Sequence, residues 1–293
     1  MKRTIQILPI VFLLFSCNNA TDKDNGGNGS ETTPKQLNIT ILLDLSDRLT
    51  ASIQPSQKER DISIVLNIIE IFKANMESKG AFQSNDKIKI IFHPAPLDAS
   101  VNNIAKTLTI DLSKMDNNQK KDVFDNIINN FSVGLNEIYD LTLKSKTYPG
   151  SDIWRFFKYD ATQYCITNDT SYRNILIIIT DGYIYHEQSK DKINNRTAYI
   201  TNTYFKTQGF VNNNNWREKF NNNDYGLIFS GQTYENLDIL VLEVNPDTSH
   251  KNDEDIIRAY LDKWFTEMKV NHFEIHNTDL PVNTKNKVER FFQ

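Results

Sequence analysis

The stretch Asn38–Thr50 reads NITILLDLSDRLT. A nearly continuous apolar run through Leu43 stops on Asp44, and Ser46, Asp47 and Arg48 follow at once. A parallel strand covered by helices on both faces meets no water on either side, so it reads as such a run. The pattern returns at Asn174–Tyr185, NILIIITDGYIY, where the apolar run leads into Thr180, Asp181 and Gly182. Two buried-looking strands therefore each deliver a carboxylate at the carboxyl end.

Working outward, strands are expected at Asn38–Leu43, Lys87–Phe92, Ile175–Thr180, NLDILVLEV (236–244) and VNHFEIH (270–276). A short alternating strand is expected at KTLTIDL (106–112). Helical periodicity covers about Gln57–Met76, with Ile62, Val65, Leu66, Ile69 and Phe72 on one side. It returns over about Gln119–Tyr139, Asp152–Tyr164 and Glu254–Met268, and in NKVERFF (286–292). Strands alternating with long helices predict an α/β fold: an open, mostly parallel six-stranded sheet with helices on both faces. Residues 37–293 read as one domain without repeats. Open sheets of this kind place ligands beyond the carboxyl ends of their strands, which is where Asp44, Ser46 and Asp181 fall.

This arrangement resembles a von Willebrand factor type A domain over roughly residues 38–277. In that family the first strand ends in Asp-x-Ser-x-Ser, a middle loop supplies Thr, and a later strand ends in Asp, often as Thr-Asp-Gly. DLSDR matches at Asp44 and Ser46, TDG matches at Asp181, and Ser151 of YPGSDI stands nearest to the middle-loop position. The resemblance implies a Mg2+ site of the metal-ion-dependent adhesion type on Asp44, Ser46, Ser151 and Asp181. Mg2+ is a hard cation that takes oxygen ligands and keeps several waters. It leaves a position for a carboxylate from a partner.

The sequence departs from the family at Arg48, which stands where the second Ser belongs. A guanidinium only donates hydrogen bonds and ligates no metal. Either Arg48 points away, or it reaches Asp44 or Asp181 and takes the cation's place. Asp152 is a second modulator of the site, with helix capping as its other reading. Asp44, Ser46 and Asp181 also have plain alternatives as turn residues.

A long connection, 183–236, leaves the strand that ends near Asp181, far longer than an ordinary loop. Its aromatics, Tyr183, Tyr185 and Trp216 among them, are candidate partner contacts; the alternative is a small core of the insertion's own.

The first 17 residues, MKRTIQILPIVFLLFSC, have a charged start and an apolar run too short for a membrane-spanning helix. LLFSC resembles a bacterial lipobox, which implies acyl chains such as palmitate on Cys17; a plain signal peptide is the alternative. Paired acyl chains anchor firmly. Residues 18–36, rich in Gly, Asn, Asp and Thr, read as a flexible tether. Asn18, in place of an Asp retention signal, points to the outer membrane of a bacterium. Only Cys17 and Cys165 are present, and with Cys17 lipidated Cys165 is expected as a small buried apolar residue. The formal charge of -4 comes from 33 basic and 37 acidic residues, intermixed along the chain, so nothing marks a nucleic-acid surface.

Three functions are compatible with this reading. The first is a membrane-tethered module that binds a protein partner through an acidic group. The second is a metal-assisted phosphoesterase with Asp44 or Ser46 as nucleophile. No general base, His pair with metal spacing or Gly-rich phosphate loop accompanies it. The third is a scaffold whose metal site is degenerate.

Overall fold

The computed structural model describes residues 35–80, 82–246 and 252–293. Cys17 and the tether up to residue 34 lie outside the described residues. The strands are β1 (Gln36–Leu43), β2 (Lys87–Ile91), β3 (Ile110–Asp111), β4 (Tyr172–Ile179), β5 (Lys192–Ile193), β6 (Arg196–Thr197), β7 (Gly226–Leu227), β8 (Leu237–Val244) and β9 (His272–Asn277). The main sheet has the order β3-β2-β1-β4-β8-β9, with β3 alone antiparallel. The six-stranded, mostly parallel α/β fold expected from the apolar runs is thus observed.

The helices are α1 (Gln57–Ser78), α2 (Ala99–Thr107), α3 (Asn117–Ser145), α4 (Ile153–Arg155), α5 (Ala161–Cys165), α6 (Asn202–Thr207), α7 (Trp216–Asn222), α8 (Asp253–Glu267) and α9 (Pro281–Phe292). Side chains alternate across each strand, and two cores follow from that alternation. Ile39, Ile41, Leu43, Ile175, Ile177 and Ile179 pack with α1, α3 and α9. Leu42, Leu176, Ile178, Ile239 and Val241 pack with α5, α8 and the insertion. Polar interruptions of β1 are satisfied internally. Asn38 Nδ2 donates to Cys165 O at 3.0 Å and to Asn174 Oδ1 at 2.8 Å, and Thr40 Oγ1 donates to Tyr164 O at 3.1 Å. Cys165 is fully buried, and burial pushes its thiol up to about 12.

Three elements differ from the sequence reading. Lys106 and Thr107 close helix α2, capped by Asp98, and only Ile110–Asp111 of KTLTIDL pairs as a strand. The helix expected over 152–164 is broken into α4, a π-turn at Phe156–Asp160 and α5. The 183–236 connection holds a small sheet, β5-β6-β7, with α6 and α7. Its aromatics join the core of the domain. The Tyr260 ring of α8 meets Phe205 at 5.6 Å and Phe220 at 4.9 Å.

Candidate functional site at the ends of β1 and β4

Strand order reverses direction between β1 and β4: the chain runs outward to β2 and β3, then returns to the other side of β1. The register pairs Leu43 with Ile179, so Asp44 and Thr180 leave the sheet side by side. Asp44 N donates to Ile179 O at 3.1 Å. Its carboxylate then joins the two strand ends. Oδ1 accepts from Ser46 N at 2.9 Å, and Oδ2 accepts from the Thr180 hydroxyl at 2.7 Å. Asp181 Oδ1 accepts from Tyr183 N at 2.9 Å. Gly182 follows at φ +94°, where an added Cβ would lie 2.7 Å from Ile257 Cγ2, so a glycine must take this turn. Burial first, then the Asp44 charge, push the Asp181 carboxyl up to about 7 against the opposing pull of Arg48.

A 3-10 turn over Asp47–Thr50 brings Arg48 inward. Its Nε donates to Asp44 O at 2.9 Å and its Nη2 to Ile179 O at 3.3 Å. The guanidinium ends on Asp61 of α1, with Nη2 2.5 Å from Oδ2. Of the two sequence alternatives the geometry fits the first: the guanidinium turns from the Asp44 and Asp181 carboxylates to an ion pair with Asp61, and it holds the backbone beneath Asp44 on the way. Burial opposes the Arg48 charge, but Asp61 and then Asp44 outweigh it and hold the guanidinium ionised. Asp61, 0% exposed, is raised by burial and restrained by Arg48. Tyr139 Oη and Gln57 Nε2 also donate to Asp61, both at 2.8 Å.

This buried layer continues to β8. Gln57 Nε2, Arg60 Nε and Thr278 Oγ1 all donate to Glu243 Oε2, at 3.2, 2.9 and 2.8 Å. Glu243 sits at φ +67°, where the β8–β9 register shifts. A non-glycine residue held in the left-handed region is strained, and its neighbours keep it there. None of Gln57, Arg60, Asp61 or Glu243 is singled out by sequence motif. Their signal is periodic: positions 57, 60, 61, 64, 65, 68, 69, 72 and 76 form the buried stripe of α1. Its first turns are polar where an apolar stripe is expected. Ile62 and Leu66, expected to face inward, lie at the edge of that stripe.

Ser151 reaches the same rim from the loop before α4. It exchanges two backbone hydrogen bonds with Tyr185, both at 2.8 Å. Gly150, at φ +90°, makes this approach possible: an added Cβ would lie 2.4 Å from Tyr185 O. Ser151 is 4% exposed, and its Oγ has no hydrogen-bond partner among the described residues. Asp152 behaves as a cap rather than a site modulator. Its Oδ1 accepts from Arg155 N at 3.2 Å, and its Oδ2 from Ser189 Oγ at 2.6 Å, with His186 Nδ1 at 3.3 Å.

A cleft of about 440 Å³ lies over these strand ends, lined by Ser46, Arg48, Ser151, Asp181, Tyr183 and Tyr185 together with Thr201–Thr203. The Ser46 side chain makes no capping bond. Asp44 lies below the lining, both oxygens engaged. Of the candidate partner contacts, Tyr185 is 39% exposed and Tyr183 is half-buried beside Phe205. Trp216 is 5% exposed and packs 6.3 Å from Phe220, inside the core. Its place in the sequence carries no sign of this, since a Trp anchors an interface or a core equally well.

The donor set here is hydroxyl and carboxylate oxygen, with one orphaned buried hydroxyl, which suits a hydrated, weakly held Mg2+. Among the described residues no three His, Cys, Asp or Glu side chains form a metal-holding group. No protein-family profile matches the chain, and no curated protein matches its sequence. Among solved structures the chain is similar to the pilus adhesin SpaC from Lactobacillus rhamnosus GG in its open conformation. The TM-score is 0.41 and the identity 12%, over 88% of this chain and 30% of the adhesin. A second form of that adhesin gives 0.41 and 11% with the same coverage. The chain therefore spans less than a third of the adhesin's length.

Proposed function

We propose that this chain is a membrane-tethered binding domain of the von Willebrand factor type A kind, engaging an acidic group on an envelope or extracellular protein at the β1–β4 cleft. In this reading Ser46 and Ser151 hold Mg2+ through their hydroxyls, and Asp44 and Asp181 hold it through water. Bound there, the cation supplies the positive charge that receives the partner's carboxylate. The observation that carries the reading is the buried, unpartnered Ser151 hydroxyl on the rim of the cleft that Ser46 and Asp181 also line. Buried polar groups are nearly always partnered, so an orphan at a topological switch point asks for a ligand. The single antiparallel edge strand β3 also supports the family assignment. Acyl chains on Cys17 fix the domain to a bacterial membrane, the outer one on the strength of Asn18.

Calorimetric titration of the chain with Mg2+ and Mn2+ tests this. Saturable binding is expected, weakened about tenfold or more by Ser151→Ala and by Asp181→Asn. Absence of saturable binding refutes it. That result would favour the second reading, a scaffold with a degenerate site, which rests on Arg48 standing in place of a ligating Ser with its charge already paired to Asp61.

A further inference from the structure

A second groove, of about 480 Å³, adjoins the cleft, and Tyr185, Thr201 and Thr203 line both. Tyr199, Tyr204, Lys190 and Lys192 make up most of the rest of its lining, and no acidic residue lines it. Lys190 is already paired. Its Nζ donates to Glu187 Oε1 at 2.6 Å, and Tyr185 Oη donates to Glu187 Oε2 at 2.8 Å.

Lys192 is different. It is exposed and forms no ion pair among the described residues. Its Nζ stands 5.5 Å from the Tyr199 ring centre and 5.7 Å from that of Tyr204, so the charge sits on the wall that these rings form. The Tyr199 hydroxyl raises the Lys192 pKa, which keeps the group an ammonium. Contact with two rings restrains the side chain, so it loses less freedom when it meets an anion. Lys190 Nζ lies in the same way 5.6 Å from the Tyr185 ring centre. A sugar or aromatic group stacking in the groove would compete with these cations for the rings, whereas a carboxylate pairs with them.

We infer that the groove receives a second carboxylate of the same protein partner. The ligand is an extended acidic segment, with one Asp or Glu in the cleft and another farther along that pairs with Lys192. This rests on the cleft reading for the first carboxylate alone, since Lys192 takes no part in the metal site.

The test is fluorescence anisotropy of labelled glycine-rich peptides with the full chain, in Mg2+ and then in EDTA. One peptide carries a single Glu, and a series of the same length carries a second Glu at increasing separation. In Mg2+ the best of the series should bind about three- to fivefold tighter than the single-Glu peptide, and added salt should shrink that gain. Lys192→Met keeps the stem over the rings but removes the charge, and should bring the ratio to about one. Lys192→Glu should take it below one. No gain at any separation, or a gain unchanged in Lys192→Met, overturns the inference, while Mg2+-dependent binding of the single-Glu peptide leaves the cleft reading standing. Two-Glu binding that persists in EDTA and is lost in Lys192→Met supports the groove and sinks the cleft reading. Absence of binding by every peptide overturns the inference, and the Mg2+ titration then judges the cleft by itself. An oligogalacturonate that binds more tightly than every peptide, through Lys192, overturns the assignment to a protein partner.

Discussion

Replacing Arg48 with methionine should leave the Asp61 carboxylate buried without its counter-charge. The Arg48 and Asp61 side chains are 3% and 0% exposed, so water screens neither. Removing one partner of such a pair costs about 3–5 kcal/mol. Part of that cost belongs to the two carbonyls, Asp44 O and Ile179 O, that lose donors, at about 1 kcal/mol each. The remainder is the charge on Asp61, and it depends on pH. Burial already raises the Asp61 pKa in the wild type, and loss of the guanidinium raises it further. A carboxyl whose folded pKa lies above its unfolded one favours folding at low pH, and this stability is lost as pH rises through the folded value. The deficit of the Arg48→Met variant should therefore be about 2 kcal/mol near pH 4 and reach about 4 kcal/mol by pH 8. Urea unfolding followed by far-UV circular dichroism reads this directly. With a slope of about 3 kcal/mol/M for a chain of this size, the midpoint at pH 8 should fall by more than about 1 M. Adding Asp61→Asn removes the charge while leaving one carbonyl oxygen to accept from Gln57, with the amide NH2 donating to the Tyr139 hydroxyl. The double variant should recover about 2 kcal/mol at pH 8 and lose the pH dependence. A loss below about 1 kcal/mol for Arg48→Met at pH 8 would refute the argument, and so would the absence of rescue by Asp61→Asn.

Three further outcomes are expected. Asp181→Asn should stabilise the fold at pH 8, because Asp181, with its pKa at about 7, is held protonated in the folded state across the range where the unfolded chain ionises. The gap between that value and the ordinary carboxylate range sets a ceiling of about 4 kcal/mol, which partial exposure reduces to about 2. The gain should vanish by pH 4, as denaturation at the two pH values will report. Gly150→Ala puts a Cβ against Tyr185 O at an unfavourable φ and should cost about 2 kcal/mol or more, seen as a lowered melting temperature. Cys17→Ala should abolish incorporation of labelled palmitate and release the chain from the membrane fraction; retention on the membrane would rule out a lipid anchor there.

The sheet was legible because parallel strands buried on both faces have no polar side to confuse the pattern. Ile175–Ile179 and Leu237–Val244 read plainly as apolar runs. The convergence of Asp44 and Asp181 on one rim was expected because both runs end in polar residues, whereas the Asp44–Thr180 hydrogen bond depends on strand register and was not. Helix α2 was not legible, because Ala99–Thr107 buries only Val101 and Ala105 fully, too few to raise a periodic signal. The Arg48–Asp61 pair was hidden for another reason. A charged residue in a polar loop and one in the first turns of a helix are both ordinary on a surface, and only tertiary packing turns them inward. Ser151 was placed by analogy of position. Its lack of a partner is a property of three dimensions that no spacing reveals.

The aromatic contacts of Tyr260 decide how this molecule can be engineered. A shortened chain lacking 183–236 would strip α8 of Tyr204, Phe205, Phe210 and Phe220 and turn their apolar neighbours towards solvent. Excision there should yield aggregates, not a minimal domain. Labels belong instead on an exposed side chain of another element, such as Val133 of α3, which is 59% exposed.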